Sequence, residues 1–143
     1  MTEQAKAQHI VHKLMYEKDA FSQWLGIEIL EVAPGSAYCR MQIREEMTNG
    51  FKIAHGGISF SFADSAFAFA SNSRGRKAVS IETSISHTQA VQIGEWLYAR
   101  ATEEHLGNRT AVYSVEVSNE KKETVALFKG TVYRTDKEWI SET

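Results

Sequence analysis

The sequence predicts an α+β fold in which a curved antiparallel β-sheet wraps around one long central helix. Three observations carry that prediction. The longest apolar run of an otherwise polar chain, Gly56 to Ser73, has Phe60, Ala63, Phe67 and Ala70 at helical spacing and Phe62, Ala66 and Phe69 as a second row. A helix apolar nearly all round is a buried helix. Two strand-like segments precede it and four follow, and strands joined by short turns pair antiparallel. A single antiparallel sheet needs its apolar face covered, and this helix is the one element apolar enough to cover it.

The elements follow in order. Residues 2–18 carry Ala7, Ile10, Val11, Leu14 and Met15 on one face and Lys6, Lys13 and Glu17 on the other, an amphipathic helix. Asp19 is the expected N-cap of a short second helix, which Gly26 stops. His9 and His12 lie three apart on the first helix with no third ligand in sight, so they are surface residues. A strand over 27–32, the turn Pro34-Gly35 and an alternating strand from Ala37 to Ile43 form a hairpin. A loop over 45–54 leads into the helix at 56–73. Arg74 to Lys77 is expected as an exposed basic turn. Alternation marks further strands at 79–86, 96–101, 111–117 and 125–133, with hairpin connections at Gly107-Asn108 and Asn119 to Glu123. In the first of these, Val79, Ile81, Thr83 and Ile85 share one face and Ser80 lies on the other. The tail after Arg134 carries no clear signal.

All 143 residues are expected to form one domain, with a helical segment at 1–25. Sixteen Lys and Arg against 18 acidic residues, a net charge of −2, give no sign of a general nucleic-acid or anionic-membrane partner. The apolar run is too short and too rich in Ser to span a membrane. Cys39 is the one cysteine, which excludes an intramolecular disulfide and a Cys-based zinc site. No basic segment followed by an apolar core opens the chain, so a cytoplasmic setting is expected.

The chemistry concentrates on the central helix. Gly56 and Gly57 at its start allow close backbone approach and leave the first helical N–H groups facing outward, a place to polarise a carbonyl or hold an anion. Asp64, about two turns further in, is the one charge on the helix. Taken alone, each of these residues has a plainer role open to it. Asp64 suits a structural bond to Ser61 or to backbone as well as chemistry. His55 suits a hydrogen-bonded structural role, Asn49-Gly50 is turn chemistry, and Gly56-Gly57 serves close packing.

Taken together, Asn49-Gly50, His55-Gly56-Gly57, Phe62-Ala63-Asp64, Ala66-Phe67-Ala68 and Val125 to Gly130 resemble the hotdog-fold acyl-CoA thioesterases, most closely the PaaI type of phenylacetate breakdown. The specific part is Asn49 six residues before His55 and Asp64 nine after it, on a helix between strand hairpins. The resemblance runs from about Tyr16 to Tyr133. It implies that Asn49 and the backbone N–H of Gly56 polarise the thioester carbonyl and that His55 shapes that site. It implies Asp64, reaching in from a partner subunit, as general base or nucleophile, and Ser80 as a hydroxyl that orients water. Gly57 and Phe67 would lie against substrate, and the hairpin Asn108, Arg109 and Thr110 would touch the nucleotide end of coenzyme A. One departure stands out: where PaaI-type enzymes often carry Arg-Pro-Gly after the third strand, this chain has His87-Thr88-Gln89-Ala90.

The function so implied is hydrolysis of an acyl-CoA of the hydroxyphenylacetyl-CoA kind to free acid and coenzyme A, with no metal and no cofactor apart from the coenzyme A of the substrate. Two alternatives share the fold. One is a hydratase or dehydratase of enoyl- or hydroxyacyl-CoA, which uses a differently spaced Asp/His pair. The other is a non-catalytic acyl-CoA sensor, which usually adds a DNA-binding segment. Because one curved sheet should leave the second apolar row of the helix uncovered, and because relatives pair into a continuous sheet, a homodimer assembling to a homotetramer is expected.

Overall fold

The computed structural model describes residues 1–141. Helix α1 (Glu3–His9) is capped by Thr2, whose hydroxyl accepts from Ala5 N–H, and continues without a break as a π-helical turn (Ile10–Met15) and a 3-10 turn (Tyr16–Lys18). The single predicted helix over 2–18 is thus one helical segment in three geometries. Asp19 caps α2 (Ala20–Leu25) through Ser22 N–H, and Gly26 ends it at a φ of 76°, as its lack of a side chain permits. Strands β1 (Glu28–Ala33) and β2 (Ser36–Gln42) form the first hairpin. A short 3-10 turn (Glu45–Met47) precedes α3 (Gly56–Asn72). Strands β3 (Arg76–His87), β4 (Trp96–Leu106), β5 (Thr110–Ser118) and β6 (Thr124–Glu138) complete the chain.

The six strands make one antiparallel sheet in the order β1-β2-β4-β5-β6-β3. Helix α3 lies across its concave face. Phe67 is buried between the rings of Tyr113 and Phe128, 5.9 and 5.5 Å away by centroid. A Cβ at Gly130 would come within 2.6 Å of the Phe67 ring, so that strand position must be glycine for the helix to sit this close.

Both apolar rows of α3 are covered within one chain. Phe62, Ala66 and Phe69 are fully buried, with the Tyr16 ring edge-on to Phe69. The expectation of an uncovered second row is therefore corrected: the N-terminal helical segment lies over it. Exposed apolar side chains lie elsewhere, among them Val79 and Ile81 on β3 at the sheet edge, 53 and 57% exposed.

Three further differences from the predicted elements have local causes. β3 carries a bulge, since Ser80 pairs with Val132 and Glu82 with the adjacent Thr131. The extra residue, Ile81, flips the phase of the strand. Ser80 therefore shares the helix-covered face with Thr83, Ile85 and His87, opposite to the face that simple alternation assigns it. The basic turn is not free in solvent. Arg74 makes two bonds to Glu103, at 2.8 and 3.1 Å, and Arg76 opens β3 and donates to the carbonyl of Asn108. The tail is ordered by pairing: β6 runs on to Glu138, which pairs with Arg76.

Candidate active site

The start of α3 is held by the loop before it. Asn49 folds that loop back on itself: its Oδ1 accepts from the N–H of Phe51 at 2.9 Å and of Ile53 at 3.4 Å. With its oxygen so used, the Asn49 Nδ2 is left with two hydrogens and no acceptor among the described residues. His55 N–H donates to the Met47 carbonyl and Ala54 N–H to that of Val91, each at 2.8 Å, which pins the entry to the helix. His55 is the N-cap. Its Nδ1 accepts from Gly57 N–H at 2.8 Å, so the neutral ring carries its proton on Nε2. The expectation from the sequence that the first-turn donors are all free is therefore corrected: Gly57 and Ile58 are satisfied by His55. Gly56 N–H has no acceptor among the described residues.

Gly56 and Asn49 open into one cavity of about 400 Å³, lined also by Ser59, His87, Gln89 and Val91. It lies at the positive end of a 17-residue helix, lined by the two residues whose N–H and amide donors are free of partners among the described residues. Such a pair of fixed donors suits an oxygen that gains negative charge. His87, which the sequence marked only as a departure from Arg-Pro-Gly, is part of this wall. The signal that could have found it is its place two residues beyond Ile85 on the helix-covered face. On the other flank of the helix start, a second cleft of about 340 Å³ is lined by Phe21, Trp24, Met47, His55, Gly57 and Ile58. A depression of similar size on the convex face, around Tyr38, Tyr98 and Arg100, lies on the opposite side of the sheet from α3.

Asp64 is half-buried and has no hydrogen bond or ion pair among the described residues. Burial pushes its carboxyl above the ordinary 3.8. Eight residues of helix put it about 12 Å along the axis from Gly56, further than an aspartate side chain reaches. Ser80, seven residues before His87 on β3, also lies away from Gly56. β3 starts beside the end of α3, where Asn72 bonds both backbone groups of Ala78, and finishes at His87 beside Gly56. The five expected catalytic residues thus fall into two groups within one chain: Asn49, His55 and Gly56 at the helix start, Asp64 and Ser80 beyond it.

The expected substrate contacts are also spread out. Gly57 lines the second cleft. Phe67 is a core residue, 1% exposed. Asn108, Arg109 and Thr110 lie at the β4–β5 hairpin, near the far end of α3, and Arg109 forms an exposed ion pair with Asp136 at 2.7 Å. Cys39 is buried in the core and its thiol is pushed up to about 12, which makes it a poor nucleophile. No cluster of three or more His, Cys, Asp or Glu suited to a metal ion lies among the described residues, and no described helix is long and apolar enough to cross a membrane.

The chain was compared with known proteins. Residues 51–126 match the family described as the thioesterase superfamily. Over 120 residues the chain is 42% identical to the acyl-coenzyme A thioesterase PaaI of Escherichia coli, covering 84% of this chain and 86% of that protein. The solved structure of that PaaI protein, from the phenylacetic acid degradation operon, superposes with a TM-score of 0.92 at 39% identity, covering 96% of this chain and 99% of the other. Human acyl-coenzyme A thioesterase 13 is 30% identical over 83% of this chain and 87% of its own length. A Streptococcus mutans protein solved with acetyl CoA bound has a TM-score of 0.76 at 27% identity, covering 78% of this chain and 90% of the other.

Proposed function

The chain belongs to the thioesterase superfamily and is a thioester hydrolase of the PaaI type, a hotdog-fold acyl-CoA thioesterase; from that premise we propose that it hydrolyses arylacyl-CoA thioesters of the hydroxyphenylacetyl-CoA kind at a site completed by a second copy of the chain. The observation that carries the reading is that Gly56 and Asn49, whose N–H and Nδ2 have no acceptor among the described residues, line one cavity at a helix N-terminus. The thioester oxygen accepts from both. Water adds to the carbonyl carbon as Asp64 takes its proton. The negative oxygen is held by the two donors, and collapse of the adduct expels coenzyme A as its thiolate, which takes the proton back from Asp64 and leaves as the thiol. Polarisation comes from N–H groups and the helix dipole, and no step calls for a metal or added cofactor.

The Asp64 that does this belongs to the partner. Within one chain it stands too far along α3, whereas two β3 edges paired antiparallel about a two-fold axis would set the Asp64 and Ser80 of each subunit beside the Asn49 and Gly56 of the other. The exposed Val79 and Ile81 on β3 favour such pairing. The same two-fold carries the partner's Asn108 to Thr110 hairpin toward the site, where Arg109 would meet a phosphate of coenzyme A. We place the enzyme in the cytoplasm, as a homotetramer of such dimers, in phenylacetate catabolism.

The test is free-thiol release across a panel of acyl-CoAs. Release that is fastest for arylacetyl-CoA thioesters supports the reading. Tight binding of acyl-CoA with no release makes the chain a sensor, and addition of water across an enoyl-CoA without release makes it a hydratase.

A further inference from the structure

The imidazole of His87 points tip-first at Gly56. From the position a Cβ would take on Gly56, Nε2 is 3.3 Å away, Cε1 3.6 Å and Cδ2 3.9 Å. The side chain comes from the last residue of β3, on the helix-covered face, opposite Ala126, and it lines the cavity that holds Asn49 and Gly56. Neither ring nitrogen has a hydrogen-bond partner among the described residues. A ring so placed is not there to fill a core, since His87 is exposed, nor to hold the loop. The three atoms nearest to a Cβ on Gly56 all belong to this ring, and Gly56 N–H is the donor proposed above for the reacting carbonyl.

We propose that His87 is a third donor to the reacting oxygen, placing Nε2–H beside Gly56 N–H and Asn49 Nδ2. The proposal rests on the thioesterase reading above. The neutral imidazole donates through Nε2 while Nδ1 faces solvent as an acceptor. It keeps its proton throughout. As water adds to the carbonyl carbon, the oxygen takes up the negative charge, and the Nε2–H bond to it strengthens; as the carbon–sulfur bond breaks, the charge leaves with the thiolate and the bond relaxes. A donor used this way acts on kcat more than on KM, because the ground-state carbonyl carries little of that charge. A side chain at position 56 would crowd the ring, since its Cβ would stand 3.3 Å from Nε2.

The experiment measures kcat and KM for thiol release by the full chain and by His87→Phe and His87→Gln, with folding of each followed by thermal melting. His87→Phe keeps a planar ring and loses the donor. Its kcat is expected to fall about ten- to a hundredfold, the range for a hydrogen bond to a developing charge, with KM within about twofold. His87→Gln places an amide N–H near the old Nε2 and should recover most of the loss. A His87→Phe enzyme with kcat within about twofold of the parent overturns the proposal, as does a His87→Gln enzyme as slow as His87→Phe, or a loss confined to KM. No thiol release by the unmodified chain from any acyl-CoA overturns the thioesterase reading as well, so the two failures are told apart by the parent protein.

Discussion

The two ends of α3 are built to opposite specifications. At the C-terminal end the helix's own polar side chains are used, although the buried Nε of the nearby Arg76 has no partner among the described residues. Asn72, 4% exposed, donates through Nδ2 to the carbonyls of Ala68 and Ala78, and its Oδ1 accepts from Ala78 N–H and Trp139 Nε1. Ser73 donates to Ala70 and Ala33 and accepts from Gly35 N–H, tying the helix to the β1–β2 turn. At the N-terminal end, Asn49 uses only its oxygen, His55 satisfies Gly57, and Gly56 N–H faces a cavity. Two of the half-buried carboxylates, Glu103 and Asp64, repeat the contrast. Burial works to raise Glu103, but bonds from Arg74 and Tyr113 outweigh it and hold it below its usual range. Asp64 has burial alone and is raised. Asn72, Ser73 and Glu103, which build the fold, are paired; for the unpartnered groups at the other end we propose that a substrate and a second subunit supply the partners.

Breaking the open end should cost chemistry and not folding. Asp64→Asn keeps the shape and removes the charge, and kcat is expected to fall about a hundredfold or more while acyl-CoA still binds. Steady-state kinetics with a binding isotherm checks both halves, and near-normal turnover would remove Asp64 from the mechanism. Breaking the closed end should do the reverse. Asn72→Ala strands the backbone of Ala78 and the indole of Trp139, a loss of about 2 to 4 kcal/mol in unfolding free energy, read by denaturant titration, with kcat per folded molecule unchanged.

A smaller effect is expected at the hairpin. If Arg109 meets a phosphate of coenzyme A, Arg109→Ala raises KM several-fold with kcat little changed, because the contact is the same in ground and transition states. An unaltered KM for full-length acyl-CoA would detach that hairpin from the site.

The smallest effects come from pH. A base must be ionised, so kcat/KM should climb with pH along an acid limb centred above 3.8, the ordinary aspartate value. Stability has the opposite sign. A carboxyl raised in the folded state stabilises the fold below its unfolded value and loses that contribution as pH rises through the folded one. Asp64→Asn should therefore melt higher than the parent near neutral pH, with the difference shrinking as pH falls toward 3.8. A lower melting temperature at neutral pH would mean that Asp64 has a structural partner.

Much of this contrast is legible in the residues. Periodicity places α3 and all six strands, Asp19 and Gly26 bound α2, and the Asn49, His55, Gly56 and Asp64 spacing singles out the helix start. What escapes is whatever depends on a neighbour far along the chain. The bulge at Ile81 shows only in the register against Val132 and Thr131, so alternation alone puts Ser80 on the wrong face. The end of β6 has no alternating pattern from Thr135 onward and is ordered because Arg76 pairs with it. Arg74 resembles a solvated charge until the sheet brings Glu103, 29 residues away, against it. The cover over Phe69 comes from Tyr16, which a pattern within α3 cannot reveal.

The central claim is that one chain supplies the carbonyl site and another supplies Asp64. Complementation tests it directly. Asp64→Asn and Asn49→Ala are each expected to be nearly inactive alone. Co-expressed in equal amounts, they should assort so that about half the dimers are mixed, each with one intact site of two, and thiol release should recover to about a quarter of the parent rate. If Asp64 served its own chain, every site in the mixed dimer would lack one partner, and the mixture would be as inactive as the two variants apart.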